Sequence, residues 1–342
     1  MIKVEAVERE NFRFDRRYFF FCMHSAVQQL LQFYRVPHAE WMIDAGWSCW
    51  LHSEGILRLD LEPLIKSRRS WYRIEFCQSP EDYPRLWQSN IDALNEGRPV
   101  VLGADYFFLP FHPRYQKQHG AHAVLLYGAD EAKRTAWVAD YNSPFVAFRG
   151  EISADDLRRA RLSSNAWNGG INSGGSLQAA CLDLIIDPQH PLQGGPEDVD
   201  ETLLSVQRDY FMPDRNEIRG IHAVERRLRN WDRSEAREMP SRSLQLHGEL
   251  LPLCEKKRLF ACYLQDAHPM LAKAPSYREA YGLLEKINET WSTFLKVLLK
   301  IGYTPHEIRP LLRDARQLYE SLMDLECLFS QSAERLYEEL RS

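Results

Sequence analysis

The pattern of apolar and polar positions changes character partway along the chain. In the first part, short apolar runs bounded by turn-forming residues have the length and composition of strands. They are "RPVVLGADYF" (98–107), "HAVLLYGAD" (122–130), "TAWVADY" (135–141) and "ACLDLIID" (180–187), with "RIEFC" (73–77) a weaker candidate. Helical stretches lie between them. "PEDYPRLWQSNIDALNEG" (80–97) reads as a helix ending at a glycine, and "SADDLRRARL" (153–162) opens with Ser153 as N-cap and acids in its first turn. Near the N-terminus, "YFFFCMHSAVQQLLQFY" (18–34) places Val27, Leu30, Leu31 and Tyr34 on one helical face, with Cys22 at or just before the first turn.

Beyond 162 the pattern lapses. "SSNAWNGGINSGGSLQ" (163–178) is rich in Gly, Ser and Asn and reads as a mobile loop; "DPQHPLQGGPEDVDE" (187–201) carries Pro, Gly and acids and reads as a domain boundary. After it nearly everything is helical. Leu284, Ile287, Trp291, Phe294, Leu295 and Leu298 fall at three- and four-residue steps, and the last helix carries Leu311, Leu318, Leu322, Leu325, Phe329 and Leu336. Between these stripes, Thr304 as N-cap, Pro305 at N1 and Glu307 form a capping-box signature. The expected class is α+β. A mixed domain over 1–190, an antiparallel sheet packed on the Cys22 helix, is followed by a linker at 191–201 and an all-α bundle over 202–342.

Composition narrows the function classes. The 342 residues carry a net charge of −5, which gives no electrostatic reason to expect nucleic-acid binding. No apolar stretch is long enough for a membrane span, and the charged N-terminus is unlike a secretory signal, so a cytoplasmic, membrane-free setting is expected. The seven cysteines are scattered without a CxxC pair, so neither a metal site nor a disulfide framework is expected. Cys77, Cys181, Cys254, Cys262 and Cys327 sit on strand or helix stripes and read as core.

Cys22 is different. A helix start offers unpaired N–H groups and a partial positive charge, which favour a thiolate and can hold an oxyanion. Position alone favours an ordinary buried thiol. A thiolate nucleophile needs an imidazole, and the imidazole an acceptor to orient it. His122 opens an apolar strand, and Asp140 ends the next. Adjacent antiparallel strands bring the two side by side if the register is right. Asn142, two positions on, shares that face if the strand continues, and is either a substitute orienter or a turn residue. Cysteine on an early helix, histidine on a strand about a hundred residues on, then an acid on the next strand, is the order of papain-like folds.

Several stretches together resemble the butirosin biosynthesis protein H family, which pairs a papain-like N-terminal domain with a helical C-terminal one. "CMHSAVQQLLQFYRV" is similar to that family's nucleophile helix. "DYFFLPFHPRYQKQHGAHAVLLYGAD" is similar to its strand, proline-bracketed loop and histidine strand, and "AWVADYNSP" to the strand ending in its acid. "GIHAVERRLRNW" resembles the start of its helical domain. The resemblance implies Cys22 as nucleophile, His122 as base and Asp140 as orienter. It further implies acyl transfer from a carrier-protein thioester, presented on a phosphopantetheine arm, to a small-molecule amine, through an acyl-Cys22 intermediate and with no bound cofactor. Related peptidases that process double-glycine leaders place a Gln six residues before the nucleophile; here that position is Arg16, which leaves the side-chain oxyanion donor unassigned.

His24 is a candidate for that donor or for a helix cap. Phe108, Phe111 and His112 in "FLPFHP" are candidates to line an acyl pocket. His119 competes with His122 for the base role from a polar loop. The basic clusters "KKR" (256–258), "ERRLR" (225–229) and Arg16-Arg17 are either docking patches for an acidic carrier or solvated helix faces. A hydrolase with the same three residues, and a non-catalytic scaffold of an assembly line, stay open beside the transferase. The oligomeric state is not legible.

Overall fold

The computed structural model describes residues 1–10, 12, 22–36, 49–51, 57–59, 72–76, 80–143, 146–163, 182–186, 202–211, 220–235, 237–304 and 308–341. The chain divides into two compact units: Met1–Ile43 with Lys66–Gly194, and Asp44–Ile65 with Gly195–Ser342. The expected boundary near 190 is a single cut in the chain. The observed units are interleaved instead, because 44–65 belongs with the helical unit.

The first unit is built on a seven-stranded antiparallel sheet of β1 (Ile2–Lys3), β4 (Tyr72–Phe76), β5 (Val100–Asp105), β6 (Ala121–Asp130), β7 (Thr135–Ser143), β8 (Val146–Ser153) and β9 (Leu182–Ile186). The strand order is β4-β9-β5-β6-β7-β8, with β1 also paired to β6. All the runs expected as strands lie in it. Every residue of β5, and all but the first of β6, is buried, so these central strands are covered on both faces.

Three helices pack against this sheet. The helix α2 (Cys22–Phe33) lies on β5, β6 and β7 and buries Met23 through Leu31. α3 (Tyr83–Asn95) follows a 3-10 turn at Pro80–Asp82. It ends as the sequence signals: Gly97 adopts φ +74°, its N–H reaches the Leu94 carbonyl and the Arg98 N–H the Ala93 carbonyl. That pair of bonds is a Schellman closure, which favours glycine at the left-handed position. α4 (Ala154–Arg161) begins with Ser153, whose hydroxyl accepts from the Asp155 N–H. A short α1 (Glu5–Arg9) follows β1.

The second unit is mostly helical: α5 (Gly220–Asp232), α6 (Met239–Asp266), the short α7 (His268–Leu271), α8 (Pro275–Tyr303) and α9 (Ile308–Arg341). A hairpin of β2 (Cys49–Leu51) and β3 (Leu57–Leu59) packs against α5 and α6. The α8 stripe is buried throughout, and α9 buries Ala315, Leu322, Phe329, Ala333 and Leu336 against it. Leu311, Leu318 and Leu325 are only half-buried at the edge of that stripe. The Thr304 hydroxyl donates to the Lys300 carbonyl and so closes α8; Pro305 and Glu307 lie outside the described residues.

The basic run at 256–258 is not a solvated patch. Lys256 and Lys257 are buried, and Lys257 Nζ lies 3.0 Å from Glu326 Oε1 of α9 and 4.1 Å from the centre of the Tyr210 ring. The Trp291 indole N–H donates to the same carboxylate at 2.7 Å. Within "ERRLR", Arg227 forms a buried fork with Glu249 at 2.7 and 3.0 Å. Neither side chain is available to a docking partner. Cys254 is buried and Cys262 half-buried, but Cys327 is exposed on α9 and not in the core. Cys49, Cys77, Cys181 and the Arg16-Arg17 pair lie outside the described side chains. Among the described residues, no helix is long and apolar enough to cross a membrane.

Candidate active site

The register of β6 on β7 decides what His122 meets. Leu125 pairs with Ala139, so continuing the ladder sets Asp140 opposite Val124, one diagonal step from His122 on the same face. His122 Nε2 and Asp140 Oδ2 are 2.6 Å apart, and both residues are buried. With Nε2 engaged, the hydrogen bond between the ring and the Cys22 thiol falls to Nδ1. Cys22, half-buried at the first position of α2, also donates from Sγ to the Ala121 carbonyl at 3.8 Å. The packing of α2 on β5, β6 and β7 therefore presents its N-terminal thiol beside the residue that opens β6.

The electrostatics of this group are strongly coupled. Burial pushes the His122 imidazole towards the neutral form, but the Asp140 carboxylate and Cys22 outweigh it and raise its pKa to about 10. An imidazolium held between a carboxylate and a sulfur can stabilise a thiolate and can carry a proton between two partners of a sulfur-centred reaction.

The loop between β5 and β6 folds back over this pair. His112 stacks on Tyr106 with ring centres 4.8 Å apart and planes 10° apart, and meets His122, also at 4.8 Å, in an edge-on arrangement; Tyr106 lies edge-on to His122 as well, at 6.3 Å. Its Nδ1 accepts the Arg114 backbone N–H at 3.2 Å. Phe111 stacks on Phe148 at 4.0 Å, and Phe148 stands directly opposite Asp140 in the β7–β8 ladder. Phe111 and His112 thus reach the His122–Asp140 neighbourhood from the same loop.

Phe108 sits elsewhere in the same loop. It lies edge-on to Phe107, beside His119 and under the Arg159 guanidinium. His24 is buried in the first turn of α2. The Asn142 side chain lies outside the described residues, although its backbone continues β7.

His119 does not share the His122 partner. Its Nδ1 bonds Asp105 Oδ2 at 2.7 Å, and the Ser163 hydroxyl donates to the same oxygen at 2.6 Å. The other Asp105 oxygen accepts the Phe107 and Gly120 N–H groups, each at 3.0 Å. Burial works against the Asp105 charge, but these four donors prevail and hold its carboxyl below the ordinary value. Asp105 is thereby the lock of the loop. Gly120 completes it, since a Cβ there would fall 2.2 Å from the Tyr106 hydroxyl. Sequence reasoning missed Asp105, Tyr106 and Phe148. The available signal was an acid ending one strand and a glycine just before the next, which marks a closed loop.

Among the described residues, no group of three or more His, Cys, Asp or Glu side chains is arranged to hold a metal ion. An antiparallel sheet carrying a histidine–carboxylate pair, faced by a thiol at a helix start, defines a candidate thiol-dependent site. Residues 68–141 match the family model for the N-terminal part of butirosin biosynthesis protein H, which supports the resemblance to that family. The matched segment holds His122, Asp140 and the whole Tyr106–Gly120 loop, whereas Cys22 precedes it. No curated protein matches the chain.

Proposed function

We propose that Cys22, His122 and Asp140 form the catalytic triad of a papain-like acyltransferase acting in natural-product biosynthesis. The observation that carries this reading is the buried 2.6 Å His122–Asp140 bond with the Cys22 thiol on the other side of the same ring. In this account the Cys22 thiolate attacks the carbonyl carbon of an acyl thioester carried on the phosphopantetheine arm of a carrier protein. Backbone N–H groups at the start of α2 hold the oxyanion. The tetrahedral adduct expels the carrier thiolate, which takes the His122 proton, and acyl-Cys22 remains. An amine then attacks the new thioester and gives its proton to His122 as the Cys22 thiolate leaves. One thioester and one amine become one amide and one thiol. Exchange of one C–S bond for another in the first half is close to thermoneutral, which suits a sulfur nucleophile.

Product analysis tests it. The protein is given an acyl thioester with and without a primary amine, and the amide and the free acid are quantified. The account expects amide in the presence of amine, lost in Cys22→Ala and in His122→Ala. Free acid formed at the same rate whether or not amine is present assigns the triad to hydrolysis. Unchanged turnover in Cys22→Ala rules out covalent catalysis at this thiol.

A further inference from the structure

We propose that His112 is a positioning residue for the site: its ring fixes the plane of the His122 imidazole and keeps water from the Nε2–Oδ2 hydrogen bond to Asp140. The inference rests on the thiol-site reading above and adds a residue that the triad does not include.

The His112 ring is held firmly. One face of His112 lies flat on Tyr106, 4.8 Å between centres. Tyr106 cannot swing away. Its hydroxyl donates to the His119 carbonyl at 3.0 Å and accepts from Arg114 Nη1 at 3.2 Å, and its ring occupies the space that a Cβ at position 120 would need. The Arg114 backbone N–H fixes His112 in its own plane through Nδ1. His112 meets His122 with ring centres 4.8 Å apart and 61° between planes, and Tyr106 itself stands edge-on to His122 at 6.3 Å. A wall fastened at three points therefore abuts the one imidazole whose orientation decides whether Nδ1 faces sulfur. Rotating His122 about its side-chain bonds would drive it into this wall.

The chemistry of the wall matters as well as its shape. The charged and titratable groups facing His112 are His122 on β6, Asp140 on β7 and Arg114 on its own loop, with the Tyr106 phenol stacked upon it. An accepting Nδ1 is compatible only with the neutral ring. Burial, the His122 charge and Arg114 push the His112 pKa down to about 4, against the pull of Asp140. A neutral imidazole is thus tolerated beside an imidazolium, whereas a fixed cation in the same place would repel it. Protonation of His112 in acid would also break its bond to the Arg114 N–H.

The test needs no substrate. The rate of iodoacetamide alkylation at Cys22, followed by peptide mass, is measured from pH 3.5 to 10 in the wild type and in His112→Ala, His112→Phe and His112→Lys. In the wild type, Cys22 beside the His122 ring is expected to be alkylated faster at pH 6 than the exposed Cys327. His112→Ala should lose about tenfold in rate at pH 6, equivalent to one pKa unit in the ion pair. His112→Phe restores the wall without a titratable group. It should recover most of that loss and should lack the fall in rate near pH 4. His112→Lys should be the slowest of the set. Thermal melts confirm that each variant is folded; should alanine prove unfolded, phenylalanine against lysine carries the comparison. If the wild type is reactive at low pH and its profile superimposes on those of alanine and lysine, the positioning role is wrong and the thiol site stands. If wild-type Cys22 reacts only as an ordinary thiol, both fall.

Discussion

The carboxylate behind His122 sets the range over which the site can work. Burial disfavours the imidazolium and Asp140 restores it, so the charged form persists up to about pH 10. Replacing Asp140 with Asn removes the attraction. The account expects the alkaline limb of acyl transfer, which uses the His122 proton, to move to lower pH in Asp140→Asn, as a pH–rate profile of amide formation will show. The same linkage acts on stability. His122 is raised in the folded state, so its contribution is complete below its unfolded value near 6.5 and is lost as pH rises through about 10. Urea titrations at pH 6 and pH 10 should therefore differ more for the wild type than for Asp140→Asn. The His122–Asp140 encounter was legible because a strand period of two and a short hairpin fix which side chains share a face. His112 was legible only as part of an aromatic loop. Its placement against His122 depends on Asp105 gathering donors from positions 107, 119, 120 and 163, and no local periodicity reports such closure.

At the scale of elements, the helices of the second unit followed from their stripes, but their charges did not. A lysine pair inside a helix reads as a solvated face because the pattern is local; the partner of Lys257 lies 69 residues away on α9. Lys257 and Glu326 are both fully buried, and Trp291 adds a third member to the cluster. Breaking such a pair leaves a charge without compensation. Glu326→Leu alone is expected to cost about 3–5 kcal/mol. Combined with Lys257→Met it should cost far less, because the orphaned ammonium goes with its partner. Denaturant unfolding monitored by far-ultraviolet circular dichroism measures both. Equal losses in the single and double variants would show that the packing of α6 on α9, and not the charge pair, is what the substitution disturbs. Thr304 teaches the same lesson more gently. Its hydroxyl serves the helix behind it, since the capping signature does not say which of two adjoining helices will claim the side chain.

The whole molecule is two units, one assembled from a sheet and its helices and one mostly helical, yet the chain does not pass from the first to the second once. The segment 44–65 belongs to the second unit, and its hairpin packs against α5 and α6. Composition shifted at 187–201 and so revealed one crossing. The other, inside the first 190 residues, coincides with the short basic cluster at Lys66, Arg68 and Arg69, which the apolar pattern did not single out. A chain begun at Thr202 should therefore melt at lower temperature than the same chain with 44–65 restored by fusion. A fragment that melts as high without the hairpin would contradict that division.

The central claim is that sulfur at position 22 becomes the acyl carrier. Intact-protein mass spectrometry after incubation with an acyl thioester, with no amine present, tests it most directly. The account predicts one added acyl mass, located at Cys22 by peptide mapping, removed by later addition of amine and absent in Cys22→Ala. No adduct on Cys22 with any thioester offered, or an adduct that forms equally on the Cys22→Ala protein, would contradict it.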